Sequence, residues 1–416
     1  MSKFMNDTTN NILVVGAGSI GALIGASLIE AGYNVTFAGN PESNYTKQIK
    51  ERGLELFYSD GKKVRILPST KVRFVDTAED LNEKFNIIIV AVKSNNLIKV
   101  ASYIKAHSTL DTVLIHAQNG IPYWWFNSDR YLGSLDRDLY DKLIDRRHLN
   151  TVDRNGILQR NLGDRIIVGC IVKAPCQKSA AGQIKVRKPP RLVLGLTQDS
   201  DRYQKHRATL QSLCNSLSQN GLTATYTDKI RAAVCNKLAV NVTTNVLSAL
   251  TGRVIADLTA NSHTNSLIQI VIGETNYIFS SYGINFEDLP TERAVYSYIK
   301  APGSQSHLPS LAQDLAQHKS GEINLITALA EMAQIANLKV PTLSSLSELL
   351  KLCQTYSLKS DNGRTHILTL DHPSGYCTLT NDVCQSNAVD KWQMSNLLAY
   401  LVQVNVSALN GQPAAS

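Results

Sequence analysis

The sequence lacks the cysteine and histidine spacings that mark a disulfide framework or a zinc site. Its seven cysteines include no CxxC pair, and its nine histidines include no HxxxH pair. The amino-terminal residues contain no apolar signal-peptide core, and no apolar run approaches the ~18 residues of a membrane span. We therefore expect a cytoplasmic protein without a metal site, disulfide bonds or membrane partner.

Concentrated charge is also missing from the sequence. The net charge is +8, but the lysines and arginines are scattered, and no basic tract is interleaved with aromatic residues. Such a tract is the usual sign of a nucleic-acid surface. The composition therefore favours a small anionic substrate or cofactor and argues against a nucleic-acid partner.

The first half of the sequence has the pattern of an α/β domain. With 416 residues, 43% of them hydrophobic, the chain is long enough for two or three domains. Several short β-branched runs are apolar on both faces, as are strands of a parallel sheet that helices cover. The predicted strands are 12–15, 35–38, 87–92, 112–117, 166–172, 191–196 and 223–227.

Helical patterns replace the strands in the second half. The predicted helices are 229–257, 262–282, 305–319, 321–337 and 343–357. We expect an α/β fold in which an N-terminal Rossmann-like parallel sheet domain is followed by an all-helical C-terminal domain. The predicted limits are 11–228 for the first domain, with an insert at about 121–165 at one edge of its sheet, 229–358 for the second, and 359–416 for an extension of unknown structure.

A glycine-rich loop follows the first predicted strand and leads directly into a helix. Its sequence is GAGSIG, comprising Gly16, Ala17, Gly18, Ser19, Ile20 and Gly21. In this strand–GxGxxG–helix order, Gly16 allows a tight turn, Gly18 lets a pyrophosphate approach the backbone, and Gly21 lets helix and strand pack closely. The alternative is that the glycines only form a tight turn between strand and helix and bind no nucleotide. The position after the first strand favours a dinucleotide site.

The end of the second predicted strand bears on the choice between NADP and NAD. No acid stands directly at that end to hold a ribose 2′-hydroxyl, although Glu42 is near. Lys47, Lys50 and Arg52 could reach a 2′-phosphate, or they could be solvated helix residues. We expect NADP(H) as the cofactor, with NAD(H) as the alternative.

A polar stripe interrupts the apolar helix predicted from residue 229. Lys237, Asn241 and Asn245 recur every four residues and so share one helix face. No Asp or Glu occurs between Ala232 and Ala256, so the lysine has no local counter-ion in the sequence. The stripe could line a cleft, or it could be a lysine at a domain interface with two satisfied core amides.

Three other stretches carry polar residues at the expected ends of strands and helices. VAVKSNN places Lys93 after a strand, and HAQNGI places Asn119 in the turn after the next one. HLPSLAQDLAQHKSGEIN contains Ser310, Asp314 and Glu322. Together with the glycine loop and the polar stripe, these stretches resemble the ketopantoate reductase family, from the glycine loop to about residue 350. A lysine after a strand can also be merely exposed, and Asp314 could simply brace a helix.

The resemblance implies a reaction and a set of roles. In that family a nicotinamide hydride reduces the ketone of a 2-oxo acid, and the stripe lysine donates the proton. Carried over by position, the catalytic residues are Lys237 and Glu322, the substrate residues are Asn119, Asn241, Asn245 and Ser310, and the cofactor residues are the glycine loop, Asn40, Lys93, Asn119, Ala174 and Glu322. The resemblance further implies an active site in a cleft between the two domains, and a homodimer remains open.

Some positions depart from the family pattern. Asn40 replaces the arginine often found after the second strand, and Ile255 stands where some members have another substrate asparagine. An aromatic run, YWWF, follows the Asn119 turn. These departures leave two alternatives to ketopantoate reduction: a reductase for another small 2-oxo acid, and a dinucleotide-binding sensor without catalysis.

Overall fold

The computed structural model describes residues 11–58, 64–77, 81–180, 183–301 and 304–358. The chain separates into two compact units that divide between Val234 and Cys235. The first unit contains β-sheets with covering helices, and the second is helical. The expected fold class, a Rossmann-like sheet domain followed by a helical domain, is confirmed.

The described part of the first unit is built on an eight-stranded sheet. The described strands of this unit are β1 (Asn11–Val15), β2 (Asn34–Gly39), β3 (Leu54–Tyr58), β4 (Val64–Leu67), β5 (Arg73–Asp76), β6 (Ile87–Val90), β7 (Val113–His116), β8 (Ile166–Lys173), β9 (Cys176–Ala180), β10 (Gln183–Val186), β11 (Arg191–Leu196) and β12 (Thr223–Tyr226). The strand order of the large sheet is β12-β11-β8-β7-β6-β1-β2-β5.

The sheet is parallel in its larger part and reversed at one side. Strands β5, β2, β1, β6, β7 and β8 run in one direction, whereas β11 is antiparallel to β8 and carries β12 with it. The prediction of a parallel sheet is therefore wrong for β11 and β12. All four residues of β6 and of β7 are buried, as expected for central strands covered on both faces.

The helices of the first unit connect and cover these strands. They are α1 (Ser19–Glu30), α2 (Asn44–Arg52), α3 (Leu97–Ala106), α4 (Asp129–Leu132), α5 (Arg137–Leu143), α6 (Ile157–Leu162), α7 (Asp201–Gln204) and α8 (Arg207–Gln219). Helices α1 and α8 pack together, and α3 packs against α6.

A second, four-stranded sheet was absent from the prediction. Its order is β4-β3-β10-β9, so it joins two hairpins that lie far apart in the sequence. Strands β3 and β10 pair in parallel, and both β3 and β9 contact α1. These strands are only four or five residues long. Their pairing depends on the tertiary structure.

The predicted insert at 121–165 does not sit at a sheet edge. It is the crossover connection between β7 and β8, which are neighbouring interior strands. It contains α4, α5 and α6, of which α6 packs on α3. The placement at an edge was wrong because a parallel pair needs a long crossover, and this segment supplies it.

The second unit consists of helices in its described part. They are α9 (Ile230–Thr251), which spans the division between the units, α10 (Ile255–Ala260), α11 (Ser262–Ser281), α12 (Glu292–Ile299), α13 (Ser310–Ala316), α14 (Asn324–Ile335) and α15 (Pro341–Leu358). The single helix predicted at 229–257 is in fact two, because Gly252 adopts φ +68° and ends α9. Helix α12 was not predicted.

The predicted extension at 359–416 lies outside the described residues. Within the described ranges, none of the helices combines the length and the apolar character needed to cross a membrane. The domain limits derived from the sequence remain predictions.

Candidate active site

The predicted cofactor residues of the first unit assemble at one edge of the large sheet. Strands β1, β6 and β7 end side by side, since Val15 pairs with Val90 and Val90 pairs with His116. The glycine loop, Lys93 and Asn119 each follow one of these strand ends. Ligands of doubly wound sheets bind at this carboxyl edge.

Two glycines of the loop are needed for the fold of the loop and its packing against α1. Gly16 has φ +98°, and its N–H donates to the carbonyl oxygen of Ala38 over 2.9 Å. A Cβ atom on Gly21 would lie 1.9 Å from the carbonyl oxygen of Gly16. Gly16 therefore supplies a turn that L side chains rarely adopt, and Gly21 supplies the close approach of α1 to the loop.

Gly18 differs from these two glycines. Its φ is −66°, and a Cβ atom there would meet no protein atom within 4 Å. Gly18 is also the N-cap residue of α1, so no side chain caps the first amides of that helix. N-terminal amides that no side chain caps, beside open space, suit a phosphate group. The loop thus fits a dinucleotide, with Ala17, Ser19 and Ile20 completing it.

Two further predicted cofactor residues follow β2 and β8, the strands on either side of the β7-β6-β1 group. Asn40 follows β2 and is exposed, and its Oδ1 accepts a hydrogen bond from the N–H of Glu42 over 3.0 Å. The side-chain oxygen of Asn40 is therefore engaged by the backbone of its own turn. Ala174 follows β8 and is half-buried, and its carbonyl oxygen accepts from the N–H of Cys176.

Gln118 joins the two loops that carry Lys93 and Asn119. Its Nε2 donates to the carbonyl oxygen of Val92 over 3.1 Å. Lys93 is exposed and Asn119 is half-buried, and Gly120 after it has φ +84°. The sequence reasoning did not single out Gln118, although its position beside Asn119 was the available signal.

A buried pair of side chains closes the base of the Asn119 turn. The rings of His116 and Tyr123 meet edge to face at 5.0 Å, and His116 Nε2 lies 3.1 Å from Tyr123 Oη. Burial lowers the pKa of His116 to about 3, so the imidazole is neutral at physiological pH. The pair thus packs the turn from beneath without carrying charge.

The aromatic run after this turn is part of the core. Tyr123, Trp124, Trp125 and Phe126 are each at most 2% exposed. Arg231, in the first turn of α9, donates to the carbonyl oxygen of Trp125 from Nε and Nη2, at 3.1 and 3.0 Å. The run therefore packs and anchors the start of α9, and its side chains are not available to a substrate.

The polar stripe of α9 is present as the sequence predicts. Lys237, Asn241 and Asn245 lie on one 22-residue helix, the first two half-buried and the third 9% exposed. The Thr244 hydroxyl lies 3.2 Å from Asn245 Oδ1. Such a row can present an ammonium donor and amide groups to one small polar ligand.

The loop before α14 holds the predicted Glu322 in place. A Cβ atom on the preceding Gly321 would lie 2.3 Å from Leu311 Cδ1, and the Gly321 N–H donates to Gln354 Oε1 over 3.1 Å. The loop is thereby packed on α13 and tied to α15. Glu322 itself is half-buried.

Ser310 and Ile255 begin two helices of the second unit. Ser310 is exposed at the start of α13, and Asp314 lies half-buried in the same helix. Ile255, at the start of α10, is 0% exposed, and its N–H donates to the carbonyl oxygen of His307. The Ile255 side chain is therefore core.

The predicted site residues thus form two sets, one in each unit. The first set lies at the carboxyl edge of the large sheet, and the second lies on α9, at the start of α13 and before α14. Asp76, at the end of β5, is an acid beside β2 that the sequence reasoning missed because β5 was not recognised. The described residues contain no cluster of three metal-ligating side chains, and their five cysteines are free thiols.

Two family models match the chain. The model of ketopantoate reductase PanE/ApbA matches residues 12–122, and the model of its C-terminal domain matches residues 229–354. Together these matches cover more than half of the chain. They include the glycine loop, Lys93, Asn119 and the whole polar stripe.

Individual proteins with similar sequences and structures carry related names. A 2-dehydropantoate 2-reductase of Mesorhizobium japonicum is 27% identical over 82% of this chain and 96% of its own length. The structure of a candidate ketopantoate reductase from Ralstonia solanacearum has a TM-score of 0.69 and 25% identity, covering 83% of this chain and 98% of its own. A D-mandelate dehydrogenase solved with NADH and anilino(oxo)acetate has the same fold, with a TM-score of 0.64 and 21% identity over 83% of this chain and 99% of its own.

Proposed function

Because the chain belongs to the ketopantoate reductase family, whose members are oxidoreductases acting on CH–OH groups, we propose that it reduces 2-dehydropantoate to pantoate with NADPH. This is the conversion of a 2-oxo acid to a 2-hydroxy acid. It would place the protein in pantothenate biosynthesis.

The observation that carries the proposal is the polar stripe on α9. Hydride addition to a ketone leaves an alkoxide, which needs a proton donor or a positive charge at the forming oxygen. Lys237 is half-buried on the same face as Asn241 and Asn245. The lysine would protonate the oxygen, while the two amides would bind the substrate without adding charge.

Glu322 and Ser310 supply the remaining parts of the proposed chemistry. A carboxylate near a partly desolvated lysine favours its charged, proton-bearing form. We assign that role to Glu322, whose loop is packed against α13 and α15. Ser310, exposed at the start of α13, would donate its hydroxyl to the substrate carboxylate.

The first unit would bind the dinucleotide. The uncapped start of α1 and the open space at Gly18 support a pyrophosphate at the glycine loop. Lys93, Asn119 and Ala174 follow strands at the same sheet edge and would contact the cofactor. Asn40, in place of an acid directly after β2, supports NADPH over NADH. The bound cofactor supplies the hydride.

A second candidate is a reductase for another small 2-oxo acid. The buried Ile255 favours it, because this position offers no amide to the hydroxyl group of 2-dehydropantoate. Within the same fold, D-mandelate dehydrogenase was solved with an oxo acid that carries an aromatic group.

A substrate panel separates these candidates. The oxidation of NADPH and of NADH is followed by absorbance with 2-dehydropantoate and with other aliphatic and aromatic 2-oxo acids. The proposal expects the highest kcat/KM with 2-dehydropantoate and NADPH. A higher value with another 2-oxo acid would favour the second candidate. Dinucleotide binding without turnover of any acid would instead identify a sensor.

A further inference from the structure

An ion pair lies beside the end of β2, where the first unit would meet the adenosine ribose. Lys50 Nζ is 2.9 Å from Asp76 Oδ2, and the two side chains are 34% and 27% exposed. Asp76 is the last residue of β5 and pairs in register with Gly39, the last residue of β2. The N–H of Thr77 donates to the carbonyl oxygen of Gly39 over 3.0 Å. Both charges therefore stand at the carboxyl edge.

Close packing brings α2 against this strand end. A Cβ atom on Gly39 would lie 2.9 Å from Thr46 Oγ1 and 2.7 Å from Phe74 Cζ. Gly39 thus allows α2 and β5 to meet over the end of β2. Lys50 is in the last turn of α2. Because α2 packs closely on this strand end, the Lys50 ammonium reaches Asp76 at the end of β5.

The two members of the pair have opposite preferences at the ribose 2′ position. An ammonium attracts a 2′-phosphate, and a carboxylate repels it. A carboxylate accepts a hydrogen bond from a 2′-hydroxyl, as the acid near the second strand does in NAD-binding domains. Because both side chains are partly exposed, the pair itself adds little to stability.

We propose that the Lys50–Asp76 pair sets the discrimination between NADPH and NADH in this protein, with Lys50 favouring the 2′-phosphate and Asp76 opposing it. Lys50 supplies from α2 the positive charge that Asn40 does not supply directly after β2. Asp76 holds that ammonium at the strand end, and its negative charge limits the preference for NADPH over NADH. This inference rests on the proposed dinucleotide binding by the first unit and adds the residues that choose between the two cofactors.

The test is calorimetric titration of the full chain with NADPH and with NADH. Lys50→Gln should weaken NADPH binding about tenfold, the value of one charge-assisted hydrogen bond, and change NADH binding by less than about twofold. Asp76→Asn should tighten NADPH binding and weaken NADH binding. The two substitutions thus move the affinity ratio in opposite directions, which loss of a merely structural ion pair would not do.

A second lysine–aspartate pair provides matched controls. Lys205 Nζ lies 3.3 Å from Asp111 Oδ1, and Asp111 precedes β7 at the opposite edge of the sheet. Lys205→Gln and Asp111→Asn make the same changes in net charge and should leave the NADPH:NADH affinity ratio unchanged. The effect of Lys50→Gln should also shrink at high salt, because the pair is partly exposed.

Equal changes in NADPH and NADH affinity in both Lys50→Gln and Asp76→Asn would overturn the inference. So would equal shifts in the Lys205 and Asp111 controls. The wild-type affinity ratio and the substrate panel test the proposed function separately. A wild-type preference for NADH, with the ratio still moving in opposite directions in the two variants, would correct the proposed cofactor and support the role of the pair.

Discussion

The Nε2 atom of Gln118 donates a hydrogen bond to the carbonyl oxygen of Val92 over 3.1 Å. This contact joins the turn that carries Asn119 to the loop that carries Lys93, and both loops follow central strands of the sheet. Below it, the neutral His116 packs against Tyr123 and supports the same turn. The two loops that carry the predicted cofactor residues are therefore joined to each other.

Removing this contact should loosen both loops. We expect Gln118→Ala to lower kcat/KM about two- to tenfold, since one neutral hydrogen bond contributes about 0.5–1.5 kcal/mol. Steady-state kinetics with NADPH measures the effect. Gln198→Ala, which removes a hydrogen bond from Gln198 Nε2 to Tyr203 Oη elsewhere in the first unit, serves as the control. A larger loss in the control would contradict a special role for Gln118.

The loop glycines should respond differently to alanine. Gly18→Ala should fold with nearly wild-type melting temperature, because its Cβ meets no protein atom and its φ is ordinary, yet it should bind dinucleotide more weakly. Gly21→Ala should lower the melting temperature, because its Cβ would overlap the Gly16 carbonyl oxygen. Thermal unfolding and cofactor titration separate the two. Unchanged cofactor affinity in Gly18→Ala would remove the steric argument for a phosphate at that point.

Lys237 should matter for the rate and little for cofactor affinity. If it protonates the alkoxide, Lys237→Ala lowers kcat by roughly 10²–10⁴-fold, while the Kd for dinucleotide changes little. Asn241→Ala should mainly raise KM for the 2-oxo acid, by about two- to tenfold, because one hydrogen bond contributes about 0.5–1.5 kcal/mol.

A matched control for Lys237 lies on another helix of the second unit. Lys351 in α15 pairs with Glu348 at 2.7 Å on the surface, and Lys351→Ala should leave kcat unchanged. A folded, cofactor-binding Lys237→Ala that turns over at the wild-type rate would show that the stripe is architectural.

Glu274 should give the second unit a distinct pH dependence of stability. Its carboxylate accepts from the N–H groups of Thr342 and Leu343 at the start of α15, at 3.0 and 2.7 Å. Burial nevertheless raises the pKa of Glu274 above its ordinary value of 4.5. The folded protein thus binds this proton more tightly than the unfolded chain does, so the group's stabilising contribution is full below 4.5 and is lost as the pH rises through the folded pKa.

The pH dependence can be isolated by comparison with Glu274→Gln. The free energy of unfolding of the wild type, relative to this variant, should fall as the pH is raised from 4.5 toward neutrality. Chemical denaturation at several pH values measures it. Glu348→Gln, on the surface of α15, should run parallel to the wild type. If the free energy of unfolding of the wild type, relative to Glu274→Gln, instead rose with pH, the pKa of Glu274 would be lowered in the folded protein and the prediction would be wrong.

Local sequence determined the parts of this protein that depend on short-range chemistry. The glycine loop, the two strands that precede Lys93 and Asn119, and the four-residue spacing of Lys237, Asn241 and Asn245 all follow from backbone conformation and helical periodicity. Each of these features needs only neighbouring residues to form. They sufficed to predict the fold class and the family.

Only the tertiary structure decided the features that join distant segments. The reversal of β11, the pairing of β3 with β10 and the ion pair of Lys50 with Asp76 each connect residues that the sequence keeps apart. Strand direction and partner choice depend on which apolar faces must be covered together, and a local pattern does not contain that information. Likewise, the sequence showed the aromatic run after Asn119 only as a departure from the family pattern, and the structure shows that its side chains belong to the core.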